Sequence, residues 1–256
     1  MSIVDHPGNI SQAPVTNAGA MEKTIRRLGI VPFFTNAIPG YSIEELTPKE
    51  LWFNEDNLGP WDWKIPCIQA GDIAYGKFLW GGKSAFATLE WYAELMNWRR
   101  SLPKYAARDG QQTEVLALVS ERGSVGIKDI RERLGVKKSI ADGIVTRLLQ
   151  QTRLITGDIR RVYRGPDLHY AGWQTSTFCT PEALFSGGAE AAGTGAPETG
   201  LSASLAATFG AASPFSETVN PLDTGHSPAE SYDRLVAHIR RIAPQATEAQ
   251  IAKLLL

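Results

Sequence analysis

Cysteine is scarce: the chain has two, Cys67 and Cys179, far apart and outside any Cys-x-x-Cys pattern. The four histidines (His6, His169, His226 and His238) are scattered as well. No metal-ligand spacing results, so neither a metal nor another cofactor is expected. Two free thiols suit a reducing compartment, and a cytoplasmic location is expected. No apolar run approaches the roughly 18 residues that a membrane span needs. The opening "MSIVDHPGN" lacks the basic and apolar regions of a secretory signal. No membrane partner is expected. Neither sign of charge is in surplus, since 26 Lys and Arg face 27 Asp and Glu, for a net charge of −1. Any pull toward nucleic acid must therefore be local.

What is present is ample apolar content, 43% of 256 residues, which can build one large core or two small ones. Residues 1–20 are polar without periodicity and read as a flexible arm. Residues 21–110 hold six of the seven tryptophans and read as an α+β region. Residues 111–185 read as a separate small module. Residues 186–226 are mostly Gly, Ala, Ser, Thr and Pro, too poor in apolar surface to offset chain entropy. They read as a flexible insert, with at most a transient helix near Leu201–Phe209. Residues 227–256 read as two helices that dock on the body. Helix starts are legible. "TPKE" (47–50), "TPEA" (180–183) and "SPAE" (227–230) put Thr or Ser before Pro, and "TEAQ" (247–250) places Gln at N3.

"IAYGKFLWGGKSAFATLEW" predicts a strand, a Gly81-Gly82 turn and a return strand. "LEWYAELMNWRR" predicts a helix largely buried against that hairpin, with Glu90, Glu94 and Asn97 as its polar stripe. "GKFLWGGKS" is not a phosphate loop: position 77 of the required pattern is Lys77, and bulky Phe78, Leu79 and Trp80 occupy the cradle. Within "LGPWDWK" (58–64), alternation places Trp61 and Trp63 on one face of a strand and Asp62 on the other. Trp61, Trp63, Lys64, Lys77 and Lys83 are the candidate pocket residues.

The stretch from 111 to 185 has the rhythm of a winged helix-turn-helix. Helices are predicted at about 112–122 and 126–134, each ended by a glycine (Gly123, Gly135). A third starts at Ser139 and buries Ile140, Ile144, Val145, Leu148 and Leu149. Two strands then flank "RRVYRGPDLHY" as a wing. Between residues 121 and 164, eleven basic residues outnumber five acids by six. Such a local excess is the usual footprint of phosphate contact. The DNA-facing candidates are Lys128, Arg131, Lys137, Lys138, Ser139, Thr146, Arg147, Gln150, Arg160, Arg161 and Arg164, with Asp142 also on the exposed side of the third helix. Double-stranded DNA is the expected partner, and a protein partner for the same module is the alternative.

The fold class expected is α+β: a winged helix-turn-helix module joined to a Trp-rich hairpin and helix region, with a C-terminal helical pair. "LGIVPFF" (28–34), "IPGYSIEELTPKELWF" (38–53), "GPWDWK" (59–64), "YGKF" (75–78), "GGK" (81–83), "LEW" (89–91), "RLLQQT" (147–152) and "STFCTPEALF" (176–185) resemble the AlkZ-related proteins. These are allied to the AlkZ/YcaQ family of winged-helix DNA glycosylases. The resemblance implies a DNA-binding surface of winged helices, and removal of alkylated bases by water held on a Gln-x-Gln or Gln-x-Asp motif. Here Pro32 and Phe34 stand at the two polar positions, and neither acts on water. Base hydrolysis would need another carboxylate, for which Glu55, Asp62 and Glu90 are the candidates. Three readings follow: a glycosylase-like DNA-binding protein, a non-catalytic regulator or adaptor, and a small-molecule enzyme or sensor with an aromatic pocket near Trp61.

Overall fold

A computed structural model describes residues 13–53, 58–106, 110–186 and 220–256. Residues 1–12, Glu55, most of the expected insert and its Leu201–Phe209 helix lie outside the described residues. Among the described residues the chain is mixed α+β, with ten α-helices and two three-stranded antiparallel sheets.

The expected arm ends before residue 20. Val15 is fully buried, and α1 (Ala18–Leu28) starts at Asn17, whose side chain accepts from the Ala20 N–H. A single apolar anchor and an N-cap carry too little periodicity to register in the sequence. β1 (Ile30–Pro32) follows. α2 (Ile43–Leu46) is capped by Ser42. "TPKE" does not start a helix. The Thr47 hydroxyl instead donates to the Ile43 carbonyl at 2.7 Å and closes α2, leaving only a 3-10 turn at Lys49–Leu51. The reciprocal pairing of Ser42 with Glu45 had already set the helix start five residues earlier.

"GPWDWK", expected as a strand, is helical: α3 spans Pro60–Gln69. Proline at the first helical position and Asp62 in the first turn both favour that choice over a strand. Gly59 has a φ of +60°, and a Cβ there would meet the Leu51 carbonyl oxygen at 2.0 Å, so only glycine can turn the chain into α3. On a helix, residues two apart point in nearly opposite directions. Trp63 therefore enters the core while Trp61 faces the other way.

β2 (Ile73–Leu79) and β3 (Lys83–Thr88) form the expected hairpin, with β3 central and the order β1-β3-β2. Phe86 sits opposite Val31 on one side and Tyr75 on the other. α4 (Leu89–Ser101) follows at once. Then come α5 (Gly110–Arg122), β4 (Val125–Gly126), α6 (Ile127–Leu134) and α7 (Lys138–Gln150). β5 (Ile155–Arg164) and β6 (His169–Cys179) make a long hairpin, and β4 pairs with β6 to give the order β4-β6-β5. On α7 the inward residue is Ala141. Ile140, expected in the core, is 47% exposed. One residue on a helix is a 100° rotation, and both positions border the apolar arc.

α8 (Pro181–Ser186), α9 (Pro228–Ile242) and α10 (Glu248–Leu255) complete the chain, and the "SPAE" and "TEAQ" capping boxes form as expected. Two apolar clusters result. The smaller joins α5–α7 through Val115, Leu118, Ile130, Leu148 and Leu154. The larger holds the first sheet, α4 and the C-terminal helices, and also takes Ile155, Ile159 and Cys179 from β5 and β6. Leu235 and Ile239 of α9 are fully buried there, each worth about 1.5–3 kcal/mol. Two of the three residues in the polar stripe of α4 are covered, with Glu90 left exposed: Asn97 donates to His226 O and Ser231 Oγ, both at 2.8 Å, and Glu94 accepts from Arg234 at 2.6 Å. The tail docks on that stripe.

Candidate functional site around Lys64

Helix α3, the β2–β3 hairpin, α7 and the β5–β6 hairpin enclose a cavity of about 250 Å³. Trp61, Lys64, Tyr75, Lys77, Asp142 and Gln174 are among its lining residues. Three of the five residues proposed as pocket-forming from sequence (Trp61, Lys64 and Lys77) thus meet in one place. Trp63 does not; it is buried in the core. Lys83 does not either. Its ammonium is held by the Thr35 carbonyl at 3.0 Å and lies over the Trp80 ring.

Lys64 is only 2% exposed. Its Nζ donates to the Trp61 carbonyl at 2.7 Å and to Gln174 Oε1 at 2.6 Å, and stands 3.4 Å from the centre of the Trp61 ring. Among the described residues no carboxylate touches it. Burial pushes the ammonium down to about 7, with the Asp62 charge pulling weakly the other way. The Gln174 amide links this amine to an outer trio. Its Nε2 donates to Asp62 Oδ1 at 3.1 Å and to the Trp61 carbonyl at 3.0 Å. Asp62 also accepts from the Tyr170 hydroxyl at 2.6 Å and pairs with Arg161 at 3.5 Å. At the opposite wall the Tyr75 phenol is pushed up to about 12 by burial, so it stays a neutral donor. Lys77 donates to Thr146 Oγ1 at 3.2 Å. The cavity therefore offers an aromatic ring, a cation or neutral amine, a phenol and several hydroxyls to a small ring-sized group.

Gln174, Tyr75, Tyr170 and Ser176 were not singled out in the sequence. Gln174 meets Lys64 across 110 residues, and nothing local in "GWQTSTF" marks it. Trp61 keeps one ring face under Lys64, and its Nε1 donates to the Gly172 carbonyl at 3.1 Å. Among the carboxylates proposed for catalysis, Asp62 does not line the cavity and reaches Lys64 only through Gln174. Glu90 lies on the outer side of α4, facing Arg234 at 3.4 Å, and Glu55 is outside the described residues.

The residues proposed to face DNA divide into two groups. Lys128, Arg131, Lys137, Lys138, Ser139, Arg147, Arg160, Arg161 and Arg164 are exposed. Several are paired within the chain: Lys128 with Glu132, Lys138 with Asp142, Arg160 with Asp158 and Arg161 with Asp62. Arg131, Lys137, Arg147 and Arg164 have no carboxylate partner among the described residues, and Arg164 lies over the Trp173 ring at 5.0 Å. Thr146 and Gln150 form the second group. They are half-buried, and a Cβ added at Gly82 would meet both side chains at 3.1 Å, so the hairpin turn covers that side of α7. The outward side of α7 is instead Ile140, Gly143 and Arg147, with Gln112 beside them. Helical periodicity alone does not tell an uncovered polar flank from one that another element overlies.

Pro32 lies within β1, and Phe34 packs edge-on against Phe33 at 4.8 Å. Neither offers a polar atom from its side chain. A more open cleft of about 590 Å³ adjoins this segment, with Thr35, Glu44, Glu45 and Trp52 in its wall. Glu44 Oε2 accepts from the Thr35 N–H and hydroxyl, both at 2.7 Å, so the carboxylate serves the loop. Both cysteines are buried free thiols, pushed up by burial to about 12 (Cys67) and about 11 (Cys179). Among the described residues no group of His, Cys, Asp and Glu is arranged to hold a metal ion, and no helix is long and apolar enough to cross a membrane. Compared with known proteins, residues 15–256 match the model of a family described as AlkZ related. No curated protein and no solved structure matches the chain.

Proposed function

This chain belongs to the AlkZ-related family, and on that premise we propose that it is a DNA-binding relative of the glycosylases that repair alkylated DNA. In this reading α5–α7 and the β5–β6 hairpin act as a winged helix on duplex DNA. The observation that carries it is the set of exposed cations without a carboxylate partner among the described residues: Arg131, Lys137, Arg147 and Arg164. Because the hairpin turn covers Thr146 and Gln150, only the Ile140–Gly143–Arg147 side of α7 is open to a groove. Phosphate contact would then dominate, with the wing tip adding the exposed Tyr163, Leu168 and Trp173.

Binding to a labelled duplex, measured from low to moderate salt, tests this. Phosphate neutralisation makes affinity fall steeply with salt. Affinity that is flat in salt, or no binding, overturns the reading. The second reading is a non-catalytic regulator or adaptor, and Pro32 and Phe34 at the water-activating positions favour it. An assay for abasic sites in duplexes that carry N7-alkylpurines separates the two.

A further inference from the structure

We infer that the cavity around Lys64 is an aldehyde-capturing site, in which Lys64 Nζ forms an imine with the ring-opened deoxyribose of an abasic site. The amine chemistry stands on the cavity itself; the choice of an abasic sugar rests on the DNA-binding reading above. Four observations converge. Lys64 is a buried lysine with no carboxylate in contact among the described residues, held by one carbonyl and one amide oxygen. The cavity, about 250 Å³, exceeds the ~150 Å³ hollow that takes up benzene, so a five-carbon sugar fits. Its wall is mixed, with the Trp61 face on one side and the Tyr75, Ser84, Thr156 and Ser176 hydroxyls as partners for sugar oxygens. Lastly, Arg161 and Arg164 of β5 lie on the surface near Asp62 and Trp173, where the phosphates flanking such a sugar would run.

A lysine of this kind is a nucleophile because burial favours its neutral form. Burial pushes this ammonium down to about 7, so the free amine is accessible near neutral pH. The neutral Nζ adds its lone pair to the aldehyde carbon, and the carbonyl π pair moves onto oxygen. A proton passes from nitrogen to that oxygen and gives the carbinolamine. Hydronium from solvent then protonates the hydroxyl and reverts to water, the C–O bond breaks, and a second water leaves as the nitrogen lone pair forms the C=N bond. The product is a protonated imine, whose positive charge faces the Trp61 ring and the Gln174 carbonyl oxygen as the ammonium did. Gln174 holds the amine directly, and Asp62 and Tyr170 act through Gln174 to keep it in place.

The test uses the full chain. It is incubated with an abasic duplex, and separately with free 2-deoxyribose, each in the presence of borohydride. Borohydride delivers hydride to the imine carbon and fixes the adduct as a secondary amine. The expected result is a covalent protein–DNA product whose adduct maps to Lys64 by peptide mass spectrometry. It should vanish in Lys64→Met and persist in Lys83→Met, whose ammonium lies outside the cavity on the Thr35 carbonyl, with the Lys64→Met protein shown to be folded by its circular dichroism. A duplex that binds but is not trapped overturns the inference and leaves DNA binding standing. Trapping of free deoxyribose at Lys64 without trapping of DNA overturns the DNA source. An adduct mapped to another lysine overturns the assignment to Lys64.

Discussion

The Arg99 guanidinium donates to the Gln150 carbonyl at 3.1 Å, which ties the end of α7 to α4. The same group reaches Phe78 O at the end of β2 and Leu255 O at the end of α10. Arg99 is 1% exposed and has no carboxylate partner among the described residues. Its positive charge is met by the negative ends of two helices. Burial still pulls it down to about 10, with the Tyr105 and Tyr92 phenols opposing.

Replacing Arg99 by methionine should therefore cost more than the charge alone. It strips partners from three carbonyls in a dry site while keeping most of the volume. We expect a loss of about 3–5 kcal/mol, read as a lower urea midpoint with an unchanged slope. A loss under about 1 kcal/mol would mean that water replaces the guanidinium.

Gly29 has no room for a side chain. Its φ is +69°, and a Cβ would meet Trp91 Cδ1 at 2.4 Å and His238 Nε2 at 2.7 Å. Gly29→Ala should combine a disfavoured backbone with overpacking, for about 3 kcal/mol in all. Displacement of Trp91 should also alter the tryptophan emission of the native protein. Unchanged emission together with an unchanged melting temperature would contradict the tight fit.

His238 gives stability a pH dependence of known sign. Its ring stacks on Trp91 at 3.7 Å, its Nε2 donates to the Leu28 carbonyl at 2.9 Å, and Nδ1 accepts from Arg241 at 3.1 Å. Burial lowers its pKa, the Leu28 hydrogen bond opposes that, and Arg241 adds to the lowering. Because the folded ring resists protonation, the unfolded chain binds more protons as pH falls below about 6.5. The contribution is complete above that pH and shrinks below it, by at most ~1.4 kcal/mol per pH unit. Melting temperatures from pH 8 to pH 5 should fall less steeply in His238→Gln than in the wild type. Parallel curves would remove the ring from the account.

Neutralising Lys137 and Arg147 together should weaken DNA binding most at low salt. Two lost phosphate contacts should reduce the slope of log K against log salt by about 1.8. An equal change from Lys128→Gln, a lysine paired with Glu132 at 3.8 Å, would argue against a defined contact surface.

Much of the fold could be read from local chemistry. The β2–β3 turn at Gly81-Gly82, the capped starts of α9 and α10, and the periodic helices α4–α7 all follow from residues within a few positions of one another. The misreadings arose where one short pattern served two periods. Trp-Asp-Trp alternates as a strand would, and only Gly59-Pro60 before it marks a helix. The candidate site was half legible, because large aromatics and lysines drew attention to Trp61, Lys64 and Lys77. Its other half, Tyr75, Tyr170 and Gln174, consists of ordinary strand residues brought in by pairings far along the chain. Lys64, expected as a pocket residue, is only 2% exposed on helix α3.

The β5–β6 hairpin belongs to both apolar clusters. Leu154 and Phe178 serve the three-helix side, whereas their neighbours Ile155 and Cys179 serve the other. A strand places successive side chains on opposite faces, so this one ribbon is a party wall between two rooms. Neither room can be demolished alone. Heating should give one cooperative transition in place of two, and residues 111–185 cut out and expressed alone should self-associate through bared Ile155 and Ile159. The stretch that reads in sequence as a module of its own shares one face of its ribbon with the larger core.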